Sequence, residues 1–91
     1  TASSEHFSFK FIPTSGTQEN KFSFVVSGKV SKKATERNLL KRRGYVVIKK
    51  NNIPKKIPIA GVFFAKSGAT KLSYEVLKKE IEDLLVKARV M

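Results

Sequence analysis

The sequence predicts an α+β domain, a small sheet with helices packed against it, and three observations carry that reading. Two phenylalanine-rich segments near the N-terminus alternate apolar and polar residues with the period of a half-buried strand. A later apolar run, "IAGVFFAK", is bounded by loop and turn residues and reads as a third, buried strand. Two further segments separate apolar from polar residues at helical spacing. The resulting order, strand, strand, helix, strand, helix, places helices on a small sheet.

The first strand is "HFSFKFI", residues 6–12, where Phe7, Phe9 and Phe11 alternate with His6, Ser8 and Lys10. "PTSGTQEN" follows, a loop by its Pro13 and Gly16. "KFSFVVSG", residues 21–28, repeats the alternation through Phe22, Phe24 and Val26. The two runs are expected to pair as an antiparallel hairpin with a long connection. The five rings Phe7, Phe9, Phe11, Phe22 and Phe24 are expected to fill the core. His6, Ser8 and Lys10 then share the opposite, open face, where a strand of nucleic acid could lie.

Residues 32–50 carry two competing signals. Ala34 to Arg43 is good helix material, whereas Gly44 and the run "YVVI" are not. At 100° per residue, Leu39, Leu40, Val46 and Val47 fall in one arc and Arg37, Asn38, Lys41, Arg42 and Lys49 in another. The two arcs predict a helix, apolar toward the sheet and basic toward solvent. Arg43 falls inside the apolar arc, against the pattern. "NNIPKKIP" is a loop, "SGAT" a turn, and "KLSYEVLKKEIEDLLVKARV" the clearest helix. Ser73 is its expected N-cap, Glu75 complements the dipole, and Tyr74, Leu77, Ile81, Leu84, Leu85 and Ala88 form one stripe.

Ninety-one residues, 41% of them hydrophobic, are enough for one folded domain, taken as residues 1–91. The absence of cysteine excludes disulfides and thiolate metal sites. No apolar run reaches the roughly 20 residues of a membrane helix, and the polar start lacks a signal-peptide pattern. A start without methionine is expected to be trimmed or truncated. The net charge is +12, and residues 29–56 hold eleven lysines and arginines against one acid, Glu36. Solvated helix faces usually mix both signs, so a polyanion is the expected partner: nucleic acid first, an anionic membrane surface second. Lys29, Lys32 and Lys33 lie just before the helix. They meet its N-terminal amides there, an anion-binding arrangement.

No protein-borne catalytic site is expected. His6 is the only histidine, four of the seven acids lie on the last helix, and no phosphate-cradling loop or metal motif occurs.

At these residues the sequence resembles the bacterial ribonuclease P protein component family. The segment "FSFVVSGKVSKKATERNLLKRR" is similar to the family's signature through Val26, Ser27, Lys29, Lys32, Lys33, Ala34, Arg37, Asn38, Lys41 and Arg42. "FFAKSGATKLSYEVLKKEIEDLL" resembles its last strand, turn and helix, so the likeness spans roughly residues 6–88. It implies a ribonuclease P protein-like fold, shared with the second domain of a small-subunit ribosomal protein. That fold has a mixed sheet and a left-handed βαβ crossover, the opposite of the usual hand.

The resemblance also implies an accessory subunit of the ribonucleoprotein endoribonuclease that removes the 5′ leader of precursor tRNA. Catalysis then belongs to the RNA and its Mg²⁺, with no cofactor held by protein residues. Lys29, Lys32, Lys33, Arg37, Asn38, Lys41 and Arg42 would bind ribonuclease P RNA. His6, Ser8 and Lys10 would meet the precursor tRNA leader. A cytoplasmic location follows, with neither a membrane nor a small-molecule substrate as partner.

Three departures stand against the family pattern. The family opens with a basic helix that lends aromatic residues to the leader cleft, and it is expected to be absent here. Gly28 stands where a lysine is common. Gly44 and "YVVIKK" weaken the signature helix. The alternative readings are a ribosomal-type structural RNA-binding protein with no part in cleavage, and a module for DNA or anionic lipid.

Overall fold

The computed structural model describes residues 2–13, 21–51 and 59–88. The strands are β1 (Ala2–Ser3), β2 (Phe7–Pro13), β3 (Lys21–Val25) and β4 (Ile59–Ala65), and the helices are α1 (Ala34–Lys50) and α2 (Tyr74–Lys87). A 3₁₀ turn, Ala69–Lys71, precedes α2. Of the loops expected over 13–20 and 51–58, Pro13 instead ends β2 and Asn51 is the C-cap of α1; the rest, with Lys55 and Lys56, lies outside the described residues, as does the end of the last predicted helix.

The sheet order is β1-β2-β4-β3. β4 runs antiparallel to β2 and parallel to β3, so the sheet is mixed and α1 is the crossover between its parallel strands. The expected β2–β3 hairpin does not form, because β4 lies between the two strands. A tight two-residue turn would have forced them together, whereas their long connection leaves pairing to the side chains. β4 is the strand with most to bury, so it takes the centre with a ladder on each side.

Side-chain alternation then divides the sheet into two faces. Phe9 and Phe24 are both in register with Phe63. Their rings stack on it, with centroids 4.2 and 4.9 Å apart and planes within 12°. The helices cover this row. Phe7, Phe9, Phe24 and Phe63 are buried as expected of core rings, while Phe11 and Phe22 are half-buried at its margin.

In α2, Leu77, Ile81, Leu84 and Leu85 are buried, with Tyr74 and Ala88 packed against the core beside them, the stripe the spacing predicts. Ser73 Oγ accepts from the Val76 N–H at 3.4 Å, which caps the helix.

The inner face of α1 differs from the expected arc. Leu40, Gly44 and Val47 are buried, whereas Leu39 and Val46 are each 40% exposed. A Cβ on Gly44 would lie 2.5 Å from Phe24 Cζ, so the absent side chain is what lets the helix approach the ring stack. Gly61 does the same on β4, where a Cβ would run into the Phe9 ring. Arg43 lies on the flank of the buried face, where it lines a groove with Leu39, Ala69, Thr70 and Leu72.

Candidate nucleic-acid interface

Residues 29–50 of the basic segment form a turn followed by α1. After β3 the chain turns at Ser27, whose carbonyl accepts from the Val30 N–H at 3.0 Å and the Ser31 N–H at 3.4 Å. Lys29, Lys32 and Lys33 project from this stretch and are exposed. Lys33 is the N-cap residue of α1, in extended conformation with no side-chain cap. The first-turn amides therefore have no side-chain acceptor at the cap, an arrangement that favours an anion.

Asn38 and Arg42 are exposed on the outer side of α1, while Arg37 and Lys41 are half-buried between that side and the core. Helical spacing places Arg37, Lys41, Asn38 and Arg42 on one contiguous arc. All seven residues proposed from the sequence for RNA contact thus sit on one turn-and-helix surface. Arg37 is not free in solvent, however: its Nη1 donates to the Ser31 carbonyl at 2.7 Å.

Among the described residues the one contact at salt-bridge distance is His6 Nδ1 with Glu80 Oε1, 3.0 Å apart and far in sequence from this surface. The described cations of this surface, Lys29 to Lys50, make no salt bridge with a described acid. Glu36, the sole acid of the stretch, accepts from Ser31 Oγ at 2.6 Å.

A second surface lies on the uncovered side of the sheet. The register sets three rows across β2, β4 and β3: Ile12–Ala60–Lys21, Lys10–Val62–Ser23 and Ser8–Phe64–Val25. Ile12, Val25 and Phe64 are 65, 43 and 36% exposed, an open apolar strip. Lys10 Nζ stands 5.6 Å from the centroid of the Phe64 ring, within cation–π range. A flat apolar strip with an aromatic ring and a cation beside it can stack an unpaired base and hold its phosphate.

Ser8 and Lys10 lie on this face as alternation predicts, but His6 does not join them. It precedes the β2 ladder, so the pleat does not bind it, and its Nδ1 lies 3.0 Å from Glu80 Oε1 on α2. His6 thus ties the start of β2 to the covering helix. Phe64, Val62 and Ile12 are the residues of this face that sequence reasoning missed. The missed signal was the pair Phe63–Phe64: in a strand adjacent residues point to opposite faces, so one of the two rings had to face outward.

Among the described residues no group of three or more His, Asp or Glu side chains is close enough to hold a metal ion, and no helix is long and apolar enough to cross a membrane.

Comparison with known proteins agrees with this architecture. The ribonuclease P protein component of Microcystis aeruginosa is 36% identical over 72 residues, which make up 79% of this chain and 60% of that protein's length. Among solved structures, the Staphylococcus aureus RNase P protein superposes with a TM-score of 0.86 at 18% identity, covering 98% of this chain and 80% of that one. The Thermotoga maritima RNase P protein superposes at 0.81 with 24% identity, covering 94% and 80%. These two likenesses establish the ribonuclease P protein fold. The Ribonuclease P family model matches residues 1–89, nearly the whole chain, and on that match the chain belongs to the Ribonuclease P protein family.

Proposed function

We propose that this chain serves as the protein subunit of ribonuclease P, binding the catalytic RNA and the 5′ leader of precursor tRNA to assist endonucleolytic 5′ maturation. The observation that carries the proposal is the pairing of two unlike surfaces on one small fold. One is a dense cationic turn and helix; the other is an open apolar sheet face with an aromatic ring and lysines. The first suits a folded RNA. Lys29, Lys32, Lys33, Arg37, Asn38, Lys41 and Arg42 would meet its phosphates, and displaced counterions supply much of the affinity. The second suits a single strand, which offers bases to stack as well as phosphates to neutralise.

In this reading the reaction itself is the RNA's. Its Mg²⁺ ions supply the metal chemistry, and the protein's residues bind and orient. Lys10 and Lys21 would hold the leader backbone, Phe64 would stack a base, and Ser8 would offer a hydroxyl. His6, paired with Glu80 on the covered side, takes no part in leader contact. The family relationship implies cytoplasmic work on tRNA.

The leader role is tested by comparing precursor and mature tRNA binding to the reconstituted ribonucleoprotein. Phe64→Ala is expected to weaken precursor binding roughly five- to tenfold, in line with the loss of one base stack. Lys10→Ala is expected to cost less, and mature tRNA should bind as before in both cases. Equal loss for both tRNAs, or loss for neither, removes the leader from the open face. Binding of ribonuclease P RNA with no effect on cleavage would instead favour a purely structural RNA-binding role.

A further inference from the structure

We propose that Ser31 and Glu36 are positioning residues that hold Arg37 and the lysine turn in their RNA-binding geometry. The proposal rests on the RNA-binding reading above and adds two residues that would not themselves touch the RNA.

Ser31 is the junction of a compact network. Its Oγ donates to Glu36 Oε1 at 2.6 Å and accepts from the Lys33 N–H at 3.2 Å. Its carbonyl accepts from Arg37 Nη1 at 2.7 Å, and its N–H donates to the Ser27 carbonyl at 3.4 Å. One residue thus links the turn at Ser27, the backbone between Lys32 and Lys33, and the first turn of α1. Arg37 spends one of its five donors on Ser31 and keeps the others for phosphate, in an orientation fixed by a half-buried side chain. A long cation held in place before binding loses less rotamer freedom on contact than a free one.

Glu36 is the informative member. It is the only acid among eleven bases in residues 29–56, and a carboxylate on a polyanion-binding surface opposes the ligand. The simpler account is that Glu36, in the first turn of α1, only complements the helix dipole. That account makes its removal cost helix stability and improve RNA affinity. A positioning role gives the opposite sign for affinity, because the bond to Ser31 is lost along with the charge.

Two substitutions of equal charge separate these accounts. Glu36→Gln and Glu36→Ala each remove the carboxylate, but only glutamine keeps an acceptor for Ser31 Oγ. Affinity for in vitro transcribed bacterial ribonuclease P RNA is measured across a salt series, with the folded fraction of each variant taken from circular dichroism. Glu36→Gln is expected to bind as well as wild type or better. Glu36→Ala is expected to bind about fivefold more weakly than Glu36→Gln, the size of one ordinary hydrogen bond. Ser31→Ala should weaken binding similarly and reduce the salt slope by about one phosphate contact, as Arg37 loosens. Ser31→Thr should restore both.

Equal affinities for Glu36→Gln and Glu36→Ala, or a Ser31→Ala variant that binds like wild type, overturn the positioning role and leave the RNA-binding reading intact. Wild-type protein without salt-dependent RNA binding overturns both.

Discussion

Gly44 shows how one residue reverses its meaning between sequence and structure. In the sequence it weakens a helix, since glycine costs about 1 kcal/mol in a helix interior relative to alanine. In the structure it is the contact point of α1 with the sheet, with Phe24 Cζ only 2.5 Å from where a Cβ would stand. Phe24 cannot easily move aside. Its ring is stacked on Phe63 and meets Tyr45 edge-on at 5.1 Å between centroids. Gly44→Ala is therefore expected to destabilise the domain by about 1–3 kcal/mol, despite the gain in helix propensity, because overpacking outweighs it. Urea unfolding of the two proteins reads the sign directly; a stabilised alanine variant would mean that the helix can draw back from the ring at no cost.

The elements themselves were legible, and their orientation was not. α2 announced itself through an uninterrupted 3.6-residue stripe and a serine cap, and both are found where expected. The α1 limits are also legible, but its apolar arc lies about one position from its buried face. Leu39, Leu40, Val46 and Val47 are apolar, yet only Leu40 and Val47 face the core, because a glycine, invisible to a hydrophobicity count, completes the buried row. The β2–β3 pairing failed for a related reason. Alternation reveals that a segment is a strand and which residues share a face, but it carries no information on which strand lies beside it.

The basic surface was legible because a run of like charge needs no fold to be noticed. The open sheet face was only half legible, since Phe64 belongs to a run that reads as wholly buried. The α1 assignment has a direct check. Leu40→Ala, at a site only 4% exposed, should cost about 2–5 kcal/mol. Leu39→Ala, one residue away and 40% exposed, should cost less than about 1 kcal/mol. Equal losses in denaturant titrations would return Leu39 to the core face.

At the scale of the molecule, the fold keeps two unlike surfaces apart. The helices cover one side of the sheet and present the cationic turn and α1 outward. The other side is left open, with Lys10, Val62 and Phe64 across its middle. The core that separates them is small, built on the Phe9–Phe63–Phe24 stack and the apolar stripe of α2. A domain of this size has little stability to spare, so substitutions must be scored per folded molecule before any loss of binding is assigned to a surface.

The proposed role is to assist an RNA-catalysed cleavage, with no cut made by the protein itself. It is tested most directly by mixing the protein with a bacterial ribonuclease P RNA and precursor tRNA at low Mg²⁺, where the RNA alone cleaves poorly. The protein is expected to restore release of the 5′ leader, and without the RNA it is expected to cut nothing. Cleavage left unrestored while the protein demonstrably binds the RNA, or cleavage by the protein alone, would contradict it.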